Sequence, residues 1–164
     1  IRAIHARSTG LAATLAAALA AARHANGRPA FRVYGNHGAG GRQGPTVTFS
    51  VLAADGTAHL TARVNAFLAD RKINVRAGCM CNPGSCLASV GVSPEEYKAE
   101  LPTAPRGGFD AGQCVNLVVA GKEVGAVRAS LGYGTRRADI ERLAAALRAF
   151  FASTGEAVAI ELRS

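Results

Sequence analysis

The chain has 164 residues, nearly half of them hydrophobic and 18% charged, which suits one globular domain and excludes a disordered tail. No run approaches the roughly 18–20 apolar residues that a membrane helix needs. The formal net charge of +8 invites a nucleic-acid reading, but the arginines are scattered, Arg136 and Arg137 being the only adjacent pair, and few aromatics lie beside them to stack on bases.

No acidic residue occurs before Asp55, and the opening is rich in alanine and arginine, which gives it the look of an organelle transit segment. The periodic pattern runs straight into a strand-like stretch, however, and the only methionine is Met80. A piece of a longer cytoplasmic protein is the expectation.

In chain order, Ser8 or Thr9 can cap an Ala/Leu-rich helix running to about His24, with Asn26-Gly27 as its stop. Residues 30–34 read as a short strand, 35–45 as a glycine-rich loop, and 46–52 as the clearest β-branched strand. Asp55-Gly56 marks a turn. Leu60, Val64, Phe67 and Leu68 recur at helical spacing over residues 59–70, and 73–76 is a strand leading into a cysteine cluster. Helices are expected over 85–90 and from Ser93-Pro94-Glu95-Glu96, where serine caps, proline takes the first position and acids fill the first turn. Residues 101–112 are a loop, 126–131 a strand, 139–151 an amphipathic helix and 157–162 a last strand. Helices interleaved with a few strands, without a regular βαβ repeat, predict a small α+β domain.

Three of the four cysteines, Cys79, Cys81 and Cys86, fall within eight residues, and Cys114 stands apart. So short a spacing argues against a disulfide framework. The C-x-C-x4-C spacing is not a common zinc pattern, and no second pair lies at finger-like distance. A reactive thiol on an exposed, glycine-flanked loop fits better. It would be activated by Arg76 just upstream and by the opening of a helix at Pro83. Three cysteines among Gly and Asn-Pro-Gly are poor core material.

Residues 75–86, Val-Arg-Ala-Gly-Cys-Met-Cys-Asn-Pro-Gly-Ser-Cys, closely resemble the R-x-G-C-x-C-N-x-G-x-C segment of molybdenum cofactor sulfurases. Residues 125–134, Gly-Ala-Val-Arg-Ala-Ser-Leu-Gly-Tyr-Gly, resemble that family's G-x-V-R-x-S-x-G-Y stretch. Shorter similarities occur at 32–34, 44–49 and 111–114. The resemblance implies the small C-terminal domain of a fold-type I pyridoxal-phosphate enzyme, similar to cysteine desulfurases, with helices on a small, mainly antiparallel sheet. Such an enzyme takes sulfur from L-cysteine as a persulfide and passes it to the molybdenum cofactor or its carrier. The family pattern places the persulfide on Cys81 and assigns Arg128 and Arg76 to the substrate side, with Gly78, Cys79 and Asn82 as supporting loop residues. A guanidinium suits that work because its planar fork holds a carboxylate through two parallel hydrogen bonds. A lone arginine would otherwise be an ordinary solvated group.

Fold-type I enzymes hold pyridoxal phosphate on a lysine, and neither Lys72, Lys98 nor Lys122 sits in the family's lysine motif. Residues 1–164 are therefore expected to form one domain of a larger, homodimeric enzyme. The cofactor-lysine domain and the molybdenum-cofactor acceptor domain would lie outside it, and the chain would be inactive by itself. Two alternatives stay open: a stand-alone persulfide carrier, and a metal module built on Cys79, Cys81, Cys86 and Cys114.

Overall fold

The computed structural model describes residues 1–37, 43–79, 83–100 and 118–162. The elements in chain order are α1 (Arg2–Ala21), β1 (Phe31–Tyr34), β2 (Thr46–Val51), α2 (Thr61–Asp70), β3 (Arg76–Gly78), α3 (Pro83–Ser89), α4 (Pro94–Glu100), β4 (Val118–Val119), β5 (Lys122–Glu123), β6 (Ala126–Ser130) and α5 (Arg137–Ser153). Among the described residues, four strands form one sheet in the order β1-β2-β6-β3, every neighbouring pair antiparallel. β4 and β5 make a separate ribbon. The α+β architecture expected from the sequence is the one observed.

Side chains alternate across a strand, so each strand divides its residues between two faces. Val47, Phe49, Val51, Val127 and Ala129 are buried and join the main core. The helices supply the other half of that core. α1 brings Ala12, Leu15, Ala16 and Leu19, α2 brings Val64 and Leu68, and α5 brings Ile140, Leu143, Leu147, Phe150 and Phe151. Phe31, Phe49, Phe67, Phe150 and Phe151 meet edge to face, the arrangement that the ring quadrupole favours.

Several elements differ from the sequence expectation. α1 begins six residues or more before the expected caps, so Ser8 and Thr9 are interior residues. Ser8 is buried with its hydroxyl 3.4 Å from the Gly132 carbonyl, and Thr9 donates back to His5 at 2.7 Å. β3 starts at Arg76, later than the expected residues 73–76. The segment 157–162 is not a strand; it makes a single bridge, His24 to Val158. Arginine side chains take its carbonyls instead, Arg148 donating to Ile160 at 2.7 Å and Arg137 to Leu162 at 2.8 Å. The expected loop over 101–112 lies outside the described residues.

Other signals hold closely. Asp55-Gly56 turns the chain with Gly56 at φ 94° and the Asp55 carboxylate accepting from the Thr57 amide at 2.8 Å. α4 opens on a reciprocal cap: the Ser93 hydroxyl accepts from the Glu96 amide at 3.1 Å and Glu96 accepts from the Ser93 amide at 2.7 Å. In α2, Val64 and Leu68 are buried as the spacing predicts, but Leu60 precedes the first turn and stays 49% exposed.

A polar latch ties the loop before α2 to the end of α5. Glu156 accepts from the Ala54 amide at 2.6 Å, from the Thr154 hydroxyl at 3.0 Å and pairs with the His59 ring at 3.1 Å. Burial pushes the Glu156 carboxyl up, but these donors together outweigh it and hold the group below its ordinary value. A depressed carboxyl adds stability that is present above the unfolded-state pKa and is lost as pH falls through the folded one. Glu156→Gln should therefore cost about 1–2 kcal/mol at neutral pH and almost nothing at about pH 3. Urea titrations at both pH values check this.

Candidate functional site

The two arginines singled out by sequence lie 52 positions apart, and the sheet makes them direct neighbours. Arg76 on β3 and Arg128 on β6 are Cα partners. Residues opposite each other in an antiparallel pair send their side chains to one face of the sheet. That face is the one turned away from α1, α2 and α5. Thr48 on β2 is the partner of Arg128 on its other side, and Tyr34 on β1 is the partner of Thr48. One row, Tyr34–Thr48–Arg128–Arg76, thus crosses all four strands. In the next row the Ser50 hydroxyl lies 3.1 Å from the Tyr34 hydroxyl.

Two like charges directly opposite on neighbouring strands repel. Among the described residues no acidic group makes an ion pair with Arg128, and its Nε is buried without a hydrogen-bond partner. An unsatisfied buried donor of a charged group is costly. Arg76 is exposed and makes contacts of its own. Such a pair suits an anionic ligand. A planar carboxylate would offset one of the two charges and could satisfy the idle Nε–H.

Two residues beyond Arg76 the backbone takes a conformation that favours glycine. Gly78 sits at φ 101° and Gly125 at φ 150°, back to back where β3 ends and β6 begins. A Cβ on Gly125 would lie 3.2 Å from the Gly78 Cα, so a side chain there would pry the two strands apart.

Next comes Cys79, and here the structure corrects the sequence reading. Cys79 and Cys86 are not on an exposed loop. They are 5% and 9% exposed and form a second small core with Val92, Val119 and Val124, against which Leu87, Val90 and Tyr97 pack. The Cys79 Sγ lies 3.7 Å from the Val124 carbonyl and hydrogen-bonds the Cys86 thiol. Burial pushes the Cys86 thiol up, against that one bond from Cys79. A buried thiol held neutral is a poor nucleophile. The reason these cysteines become core material is the β4–β5 ribbon, which lays Val119 and Val124 over them. The sequence reading assigns nothing at 118–123; the signal was the short Val-Val-Ala-Gly run, which gives a two-residue turn with Ala120 at φ 50° and Gly121 at φ 71°. Cys81 and Asn82, expected as carrier thiol and loop residue, lie outside the described residues, as does Cys114.

No lysine completes the site. Lys122 donates to the Gly91 carbonyl at 2.6 Å and pairs with Glu96 at 3.2 Å. Lys72 and Lys98 are exposed. A buried amine beside the arginines, which would anchor pyridoxal phosphate, is not among the described residues. The arginine pair suits a carboxylate, and none of the three lysines lies where it would anchor pyridoxal phosphate beside that pair. No helix among the described residues is long and apolar enough to cross a membrane.

No protein-family model matches the chain. It is 36% identical over 130 residues to molybdenum cofactor sulfurase 3 of Aedes aegypti, covering 76% of this chain and 16% of that protein. It is 31% identical over 157 residues to the molybdenum cofactor sulfurase of Arabidopsis thaliana, covering 92% and 18%. With the molybdenum cofactor sulfurase of Pyricularia oryzae the identity is 29% over 163 residues, 96% of this chain and 19% of that one. The chain therefore spans less than a fifth of the length of these relatives. Among solved structures, the cysteine desulfurase CsdA (S-sulfonic acid) from Escherichia coli superposes with a TM-score of 0.53 and 20% identity, covering 88% of this chain and 24% of that one. That likeness is one of fold, and it agrees with the helices on a small, mainly antiparallel sheet that the resemblance implied. Over most of its length the chain is thus a homologue of one segment of the molybdenum cofactor sulfurases, on a fold shared with a cysteine desulfurase.

Proposed function

We propose that this chain is the sulfur-accepting part of a pyridoxal-phosphate-dependent molybdenum cofactor sulfurase. In this reading Arg128 and Arg76 hold the α-carboxylate of L-cysteine. The cysteine sulfur becomes the outer sulfur of a persulfide on Cys81, the carbon skeleton leaves as alanine, and the sulfur passes on to the molybdenum cofactor or its carrier. The lysine that binds pyridoxal phosphate comes from another part of the enzyme, since Lys72, Lys98 and Lys122 do not fit that role. Residues 1–164 form one domain of a homodimeric cytoplasmic protein, and the isolated chain makes no alanine from cysteine.

The observation that carries this reading is the pairing of Arg76 with Arg128, with an idle buried Nε, on the strand that leads into the cysteine segment. Cys79 and Cys86 are buried in an apolar cluster, which supports Cys81 as the reactive member of the three. The full-length enzyme bearing this segment, loaded with its cofactor and given L-cysteine, should gain one sulfur atom that a thiol reductant removes. Fragmentation of the cysteine peptide should place that atom on Cys81. Its appearance on Cys79 or Cys86 would overturn the assignment.

A further inference from the structure

The four consecutive residues 122–125 reach several described parts of the chain near the cysteine segment. Lys122 grips the turn between α3 and α4 through the Gly91 carbonyl and Glu96. Glu123 points the other way, and its carboxylate accepts from both the amide and the hydroxyl of Thr61 at the first turn of α2. Val124 is fully buried between them, and its carbonyl faces the Cys79 thiol at 3.7 Å. Gly125 then backs onto Gly78. The second core, which holds both buried thiols, is therefore fastened to the main body at Glu123.

α2 has no side-chain cap from its own sequence. Glu123 supplies one from 62 positions downstream, and Thr61, its partner, is only 4% exposed. A carboxylate at a helix N-terminus is favoured by the helix dipole, and its two oxygens fix direction in a way that apolar contact does not. Burial pushes the Glu123 carboxyl up, and the two Thr61 bonds pull against it.

We propose that Glu123 is a positioning residue: by holding Thr61 it sets the Val124 carbonyl against Cys79, and so fixes the chain as it enters the sulfur-carrying segment. The part concerning sulfur rests on the function proposed above; the part concerning Cys79 does not. The test uses the full-length protein with Glu123→Gln, Glu123→Ala and Glu123→Asp. Alkylation of native Cys79 by iodoacetamide, mapped by peptide, reads the fastening alone, and kcat and KM for L-cysteine read its consequence.

Alanine removes both acceptors and aspartate is one methylene too short to reach Thr61. Both should speed Cys79 alkylation by about tenfold or more, the scale of a lost hydrogen bond to a charged group. Both should lower kcat by a similar factor and leave KM within about twofold, because Arg76 and Arg128 are untouched. Glutamine keeps an acceptor for the Thr61 amide and should restore most of both properties, which a purely charge-based role would not allow. Aspartate keeps the experiment informative if the alanine protein does not fold. Unchanged Cys79 alkylation in the alanine and aspartate proteins, or a glutamine variant as impaired as alanine, would overturn the positioning role. Faster alkylation with no sulfur on Cys81 even in the unmodified enzyme would uphold the fastening and overturn the sulfur reading.

Discussion

Cys81→Ser in the full-length enzyme is expected to abolish persulfide formation, while Cys79→Ser and Cys86→Ser only reduce it. The oxygen of serine cannot accept sulfane sulfur, so loss at the carrying position is complete. At the other two positions the effect is indirect and runs through stability. A serine hydroxyl placed among Val92, Val119 and Val124 loses its water, and burying an unpaired hydroxyl costs about 1–3 kcal/mol. At residue 79 the Val124 carbonyl stands ready as an acceptor, so Cys79→Ser should be the milder of the two. Sulfane-sulfur assay and thermal melting of the same three proteins separate the roles: activity lost at constant Tm for Cys81→Ser, and activity lost in step with Tm for the others. Equal loss of activity in all three, together with loss of stoichiometric zinc or iron, would instead establish a metal site built on the cysteines.

Arg128→Ala should raise KM for L-cysteine by roughly 30- to 150-fold, the effect of removing a charge-assisted, two-pronged contact worth about 2–3 kcal/mol. Its effect on stability should be small or favourable. The substitution removes a like-charge repulsion with Arg76 and an unsatisfied buried Nε, both of which cost the free protein something. Weaker binding without weaker folding is the signature of a side chain kept for its ligand. Arg128→Lys preserves charge but not the planar fork, and should recover only part of the loss. Arg76 is the more exposed of the pair, so Arg76→Ala should raise KM less. An unchanged KM in the Arg128→Ala enzyme would refute the carboxylate assignment. Steady-state kinetics and denaturant titration give both numbers.

Local signals in the sequence were most reliable where a structure is made by residues close together. The α4 cap is written in Ser93 and Glu96, three positions apart, and needs nothing else to form. The β2 strand follows from its β-branched run, and the buried stripe of α5 from apolar spacing. Where partners lie far apart, the local signal misled. Ser8 and Thr9 look like helix caps, but packing of α1 against the Gly132 turn carries the helix past them. Residues 157–162 have strand-like alternation, yet a strand needs a neighbour with free backbone groups, and arginine side chains from α5 reach those carbonyls first. The true cap of α2 is a glutamate on a ribbon that sequence reading leaves unassigned.

The sequence alone determined which residue types were present to do chemistry: a clustered set of cysteines, two arginines in distinctive settings, and no lysine in the expected setting. It also determined the α+β class, because helical and strand periodicities are local properties of the chain. Only the tertiary structure decided what those residues become. Strand register, fixed by burying one face of β2 and β6, brings Arg76 opposite Arg128. A ribbon from 40 residues downstream covers Cys79 and Cys86 and turns two of the three clustered thiols into core. Burial and juxtaposition are set by contacts between distant segments, and no window of sequence contains both partners.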